Sequence, residues 1–139
     1  MTAVTGLAPR PLADSTDSLL RFALRLDATL TGLAGLMIAA AADPLSSLTG
    51  LSSLSEYGIG AFFVFYGLVV FALAAVPDLR RAGIGVVIAN IVFTVGAVAV
   101  VAADALPLTS TGIAMTLASG VYTALIGYLQ YLGVRRLRA

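Results

Sequence analysis

The sequence predicts an all-α integral membrane protein, a bundle of four transmembrane helices with both termini in the cytoplasm. Of its 139 residues, 60% are hydrophobic and 11% are charged, whereas soluble domains are about 45–50% apolar and about 25% charged. Four apolar stretches each reach the roughly 20 residues that a helix needs to cross a hydrocarbon core of about 30 Å. The arginines are also distributed very unequally between the connections.

The predicted organisation is a polar N-terminal tail over residues 1–17 and a single transmembrane domain over residues 18–139. The four spans are predicted at about 22–42, 54–76, 84–103 and 112–132. Backbone groups that face lipid must be paired within their own segment, so these spans are expected to be helices. The alternation that is typical of β-barrel strands does not occur in them.

Capping residues predict where the first two spans begin. Asp14 and Asp17 precede a helix expected to start near Ser18, and short acidic side chains are good N-caps. The pattern Ser53-x-x-Glu56 matches a capping box, in which the two side chains satisfy free N–H groups of the first turn. The second span is therefore predicted to open there.

Prolines predict the connections. Asp43-Pro44 closes the first span and can start a short helix that lies on the membrane surface. Pro77 ends the second span, and Pro107 separates the third from the fourth.

The basic residues predict the orientation. All eight are arginines, and they lie in the N-terminal region, the 77–83 loop and the C-terminal tail, while the connections 43–53 and 104–111 contain none. The positive-inside rule therefore places both termini and the 77–83 loop in the cytoplasm. Seven of these arginines are also expected to contact anionic headgroups: Arg21, Arg25, Arg80, Arg81, Arg135, Arg136 and Arg138.

Arg21, the following apolar run and Ala40-x-Ala42 also fit a cleavable signal peptide. The polar lead before the apolar run is long for a signal peptide, so we expect a retained span instead.

A short repeat suggests a duplicated hairpin. The residues 41–45 (AADPL) recur at 102–108 as AADALPL, each at the predicted outer turn of a hairpin. Either the two hairpins descend from one copy in the same orientation, or the two turns share the same chemistry.

Three spans carry one strongly polar residue each toward the cytoplasmic end, namely Asp27, Asn90 and Gln130. Asp27 and Asn90 lie roughly 7–9 Å inside the predicted boundary at 1.5 Å per residue, and Gln130 lies nearer to it. A carboxylate in hydrocarbon costs several kcal/mol unless it is paired. Asp27 should therefore bond Asn90, Gln130 or an arginine, or be protonated.

This candidate polar cluster has two interpretations. The first is a structural clasp that fastens three helices, which we favour because no second acidic residue is expected deeper in the membrane. The second is a proton or cation site, continued along a polar path through Thr31, Tyr66 and Tyr122.

The composition argues against catalysis. The chain has no Cys and no His, which excludes disulfides, His-ligated haem or zinc, and Ser-His or Cys-His nucleophiles. We expect no catalytic residue, no cofactor and no metal site. Small and hydroxyl residues form stripes on the spans, as in faces that pack membrane helices.

The expected partners are the lipid bilayer and either further copies of the chain or a larger membrane complex, not nucleic acid. The predicted function is thus a structural or accessory membrane subunit. A transporter or permeation pathway for a small solute or cation that uses Asp27 is the alternative.

Several segments resemble a known family. Residues 24–28 (LRLDA), 31–33 (TGL) and 35–36 (GL) are similar to the opening of a family of small four-helix membrane proteins common in actinobacteria, and Ala89-Asn90 and 129–136 (LQYLGVRR) are similar to its later segments. That family carries no assigned activity, so the resemblance implies a four-helix architecture and a bacterial origin. The hairpin layout also resembles DoxX-like proteins, which implies a component of a membrane redox complex as a further alternative.

Overall fold

Apolar segments of this length form the helices that the composition predicts. The structure is a computed structural model that describes residues 16–137. Within that range the chain forms five helices and no strand: α1 (Ser18–Ala40), α2 (Ala42–Thr49), α3 (Ser53–Leu73), α4 (Leu79–Ala102) and α5 (Ser110–Arg135). All but α2 are long and apolar enough to cross a membrane. The prediction of an all-α bundle with four membrane-spanning helices is confirmed.

The helix ends differ from the predicted spans by up to five residues. α4 begins at Leu79 rather than near residue 84, because the side chain of Asp78 caps it by accepting from Arg81 N. α3 ends at Leu73, before the turn that leads to Pro77. The polar flanks of the apolar runs are thus helical where a cap supports them.

The capping box predicted at Ser53 is wrong. The N-cap of α3 is Ser52, whose hydroxyl accepts from Ser55 N at 3.1 Å. The carboxylate of Glu56 is buried and accepts a hydrogen bond from the Thr49 hydroxyl of α2. A buried carboxylate needs a donor more than the first turn of α3 needs a second cap, because the N–H groups of that turn lie nearer to water.

At the start of α1, Asp17 occupies the predicted N-cap position, but its side chain makes no capping hydrogen bond and instead pairs with Arg21 at 2.9 Å. Asp14, the other predicted cap, lies outside the described residues.

The long helices follow the order α3, α1, α5, α4 around the bundle. α1 packs against α3 and α5, and α5 packs closely against α4. α3 and α4 scarcely touch through their backbones, and the rings of Phe63 and Phe93, 5.8 Å apart, lie between them.

The two ends of the bundle are chemically different. At one end, which we name the arginine end, Arg21 donates to Ala74 O at the end of α3, and Arg80 donates to Leu137 O just beyond α5. At the opposite end, Thr109 N donates to Thr49 O at 2.9 Å and so joins the 103–109 connection to α2.

Glycines allow α1 and α3 to approach closely. A Cβ at Gly60 would lie 2.6 Å from Gly35 O and 2.7 Å from Ala39 N. Both neighbours are backbone atoms, so they cannot move aside as a side-chain tip would. Gly58, two residues earlier on α3, faces open space.

This contrast gives a matched pair of variants. Gly60→Ala should lower the free energy of unfolding by about 1–3 kcal/mol, because the added methyl overpacks the α1–α3 contact. Gly58→Ala should leave stability unchanged or raise it by up to about 1 kcal/mol, since alanine favours the helix. Thermal unfolding of both variants in the same detergent measures the difference, and equal melting temperatures would contradict this packing.

Candidate functional site

Asp27 takes a core position on α1 that the sequence otherwise gives to apolar or small residues. The buried positions of this helix are Leu20, Ala23, Leu24, Asp27, Ala28 and Gly35. Only 1% of Asp27 is exposed. Its carboxylate therefore depends on protein donors for the solvation that water would otherwise supply.

Five side chains donate to this carboxylate. Oδ1 accepts from the hydroxyls of Thr31 and Tyr122, both at 2.9 Å. Oδ2 accepts from Gln130 Nε2 at 2.9 Å, Tyr66 Oη at 3.3 Å and Asn90 Nδ2 at 3.4 Å. The donors come from all four long helices. Donors from the protein thus surround both oxygens of the carboxylate.

Two amides complete the cluster. The two hydrogens of Asn90 Nδ2 are shared among three acceptors, Gln130 Oε1 at 2.8 Å, Val86 O at 3.2 Å and Asp27 Oδ2 at 3.4 Å, so Gln130 is the closest link between Asn90 and Asp27. Gln130 is fully buried, and Asn90 is 2% exposed. Gly127 makes room for this contact between α4 and α5, because a Cβ there would lie 3.0 Å from the Cβ of Asn90.

No arginine of the described range pairs with Asp27. The ion pairs within residues 16–137 join Arg21 to Asp17 and Arg81 to Asp78. Hydrogen bonds from neutral side chains therefore take the place of an ion pair at the Asp27 carboxylate. Among the described residues, every buried side-chain nitrogen and oxygen has a partner.

The structure brings all six polar candidates of the sequence to one place. Asp27, Asn90 and Gln130 are in mutual contact. The hydroxyls of Tyr66 and Tyr122 end on the Asp27 carboxylate instead of leading away from it. Tyr122 and Gln130 are eight residues apart on α5, about 12 Å along its axis, and their long side chains converge from opposite directions. We name these residues, with Thr31, the Asp27 cluster.

A layer of hydroxyl groups lies next to this cluster on the side away from the arginine end. Thr94 Oγ1 and Thr123 Oγ1 are 2.6 Å apart and join α4 to α5. One of these hydroxyls donates its single hydrogen to the other, and the backbone acceptors within reach are Asn90 O for Thr94 and Gly120 O for Thr123. Each hydroxyl thus has a backbone acceptor in its own helix, which lets it stay in an apolar region.

Sequence reasoning missed a second buried carboxylate, Glu56 at the opposite end of the bundle. Glu56 is 4% exposed. Its partner Thr49 also accepts from Leu51 N at 3.2 Å, and the backbone of Thr49 packs tightly against Gly112 of α5. The available signal was an acidic residue at the start of a strongly apolar helix, with a threonine seven residues before it. The capping pattern Ser53-x-x-Glu56 gave this glutamate a different role, so its burial was not predicted.

The arginines at the arginine end have different surroundings. Arg21 is half-buried and bonds Asp17 and Ala74 O. The guanidinium of Arg135 lies 5.9 Å from the ring centroid of Tyr131, within cation–π range. Exposed arginines at this end are Arg25, Arg80, Arg81, Arg135 and Arg136. Arg138 lies outside the described residues.

Residues 16–137 hold no group of three or more carboxylate, His or Cys side chains that is able to bind a metal ion. Comparisons with protein-family models, curated proteins and solved structures give no match for the chain. The Asp27 cluster, within four helices that are long and apolar enough to cross a membrane, is therefore the candidate functional site of the chain.

Proposed function

We propose that this protein is a structural or accessory membrane protein of the bacterial plasma membrane and has no catalytic activity of its own. The observation that carries the proposal is the complete occupation of the Asp27 carboxylate by protein donors from every long helix. A ligand or cation would have to displace these donors from a residue that is 1% exposed. Such a site is suited to fastening helices together.

Several exposed glycines support an accessory role through contacts with other helices. A Cβ at Gly58, Gly85 or Gly96 would meet nothing within 4 Å, so the backbone is accessible on the outer faces of α3 and α4. Small residues let membrane helices approach closely. Further copies of this chain or the helices of a larger complex are the partners we propose.

The arginine distribution supports an orientation with the arginine end in the cytoplasm. Reporter fusions that are active on only one side of the membrane test it. A fusion at Ser46, in α2, should report the outer side, and a fusion at Arg138 should report the cytoplasm. A cytoplasmic signal at Ser46 would contradict the orientation.

The second candidate function is coupling of proton or cation movement, and the burial of Glu56 favours it. Two carboxylates, Asp27 and Glu56, are buried near opposite ends of one bundle. Helix α5 carries two half-buried hydroxyls at a level between these carboxylates, those of Thr116 and Ser119, and both donate to carbonyls of their own helix. In this function Asp27 would exchange a proton or cation, as intramembrane carboxylates of transporters do.

Two substitutions of Asp27 separate these functions. If the Asp27 cluster is a structural clasp, the free energy of unfolding should fall in the order wild type, Asp27→Asn, Asp27→Leu. The reason is that asparagine keeps one acceptor oxygen and leucine keeps none. Membrane hydrogen bonds average about 0.6 kcal/mol. The free energy of unfolding of the leucine variant should therefore fall by a few times this amount. Melting temperature in detergent is the measurement, with exposed Asp43→Leu as a control that should change little.

The same variants are then reconstituted in vesicles and assayed for pH-dependent cation flux. The clasp predicts no flux in the wild type and in either variant. Flux in the wild type that Asp27→Asn abolishes at an unchanged melting temperature would contradict the structural role and establish the coupling function.

A further inference from the structure

A groove runs between α4 and α5 on the outer surface of the bundle. It is an open groove with a volume of about 350 Å³. Val87, Ile91 and Val95 line one side, and Ala124 and Gly127 line the other. Eight residues of α4 separate Val87 from Val95, so the groove is about 12 Å long. Its walls are mostly apolar and also include Thr94 and Thr123, and its direction follows the helices across the membrane.

Aromatic and basic residues lie where the groove meets the arginine end. Tyr128 and Tyr131 line this part of it, and both are exposed. Arg135 follows Tyr131 by one turn and lies over its ring. Tyrosines with an apolar body and a polar tip are typical of the level where acyl chains meet headgroups.

A second arginine reaches the same place from α4. Arg80 precedes Val87 by seven residues, which is two turns, so both lie on one face of the helix. Arg80 Nη2 donates to Leu137 O at 3.2 Å, which places its guanidinium beside the end of α5. Arg80 and Arg135 therefore stand on the two helices that form the groove, at the same end of it.

Neither arginine has an acidic partner in the described range. The ion pairs there use Arg21 with Asp17 and Arg81 with Asp78. Arg80 and Arg135 are exposed, and most of their N–H donors remain available. A guanidinium presents donors in a fork that matches phosphate oxygens.

We propose that this groove binds an anionic phospholipid. One acyl chain lies along the groove between α4 and α5, and the phosphate lies between Arg80 and Arg135. Tyr128 and Tyr131 sit at the level of the glycerol backbone. The apolar walls fit the chain, and the two unpaired cations at one end fit the headgroup.

Charge complementarity favours a lipid over a helix of a second copy. A helix seated in the groove would have to present an anion to Arg80 and Arg135. Among residues 16–137, the acidic residues at the arginine end are Asp17 and Asp78, and they already pair with Arg21 and Arg81. An anionic phospholipid from the surrounding bilayer supplies the negative charge that Arg80 and Arg135 lack.

The test is lipid retention by the purified full chain, measured by native mass spectrometry. Phosphatidylglycerol and phosphatidylcholine with identical acyl chains are added at equal concentrations. The wild type should retain phosphatidylglycerol preferentially. The double variant Arg80→Gln/Arg135→Gln should lose that preference by about tenfold, as expected when a charge-assisted contact is removed.

A charge-matched double variant is the control. Arg81→Gln/Arg136→Gln removes two arginines from the same helices at the same end, and all four side chains are exposed. It should keep the preference of the wild type. An equal loss in both double variants would show that general positive charge attracts the lipid, and an unchanged preference in the Arg80/Arg135 variant would also overturn the proposal.

A second pair of variants tests the acyl chain. Ala124→Phe fills the groove and should reduce the retention of both lipids, while Ala61→Phe, exposed on α3 away from the groove, should not. Retention that Ala124→Phe leaves unchanged contradicts the assigned path of the chain. A dimer that Ala124→Phe converts to a monomer would show that a second copy occupies the groove.

Discussion

A carboxylate that must be buried in an apolar bundle constrains the whole arrangement of helices. Asp27 lies in the core of α1 and is 1% exposed, where an unpaired charge would cost several kcal/mol. Tyr66, Asn90, Tyr122 and Gln130 bring donors to it from the other three long helices. Rotating any of these helices by one residue, about 100°, would carry its donor away from the carboxylate. The Asp27 cluster thus specifies the register and rotation of four helices that otherwise offer mostly interchangeable apolar surface.

Close packing and the outer connections make this geometry possible. Gly35 and Gly60 bring the backbones of α1 and α3 together, so that the Tyr66 hydroxyl can reach across. At the opposite end, Glu56 holds Thr49 while Thr49 O accepts from Thr109 N, which joins α2, α3 and the 103–109 connection. Hydrogen bonds thus fix the positions of helices near both ends of the bundle. Van der Waals packing alone would favour this arrangement only weakly, because the apolar helix surfaces pack almost as well against lipid.

Much of this arrangement follows from the sequence, for identifiable reasons. Hydropathy and length predict the four spans, because a bilayer imposes both. Distance along each helix places Asp27 and Asn90 at one level. The roles of Tyr66 and Tyr122 do not follow in this way, because their backbones lie nearer the midplane and only the direction of a long side chain brings the hydroxyls to Asp27. The burial of Glu56 does not follow from the sequence, because the capping pattern Ser53-x-x-Glu56 already explains an acidic residue there. Its burial depends on a contact between two helices, α2 and α3.

The coupling between Asp27 and Gln130 shows whether the stability of the bundle depends on the Asp27 cluster. Gln130 is fully buried and donates to Asp27 at 2.9 Å, and the two residues are distant in sequence. A double-mutant cycle with Asp27→Leu and Gln130→Leu, scored by the free energy of unfolding in mixed micelles, isolates their interaction. We expect the double variant to lose less stability than the sum of the two single variants, with a coupling of about 0.5–3 kcal/mol. Additive losses would show that the two side chains act independently and would contradict a bundle fastened through Asp27.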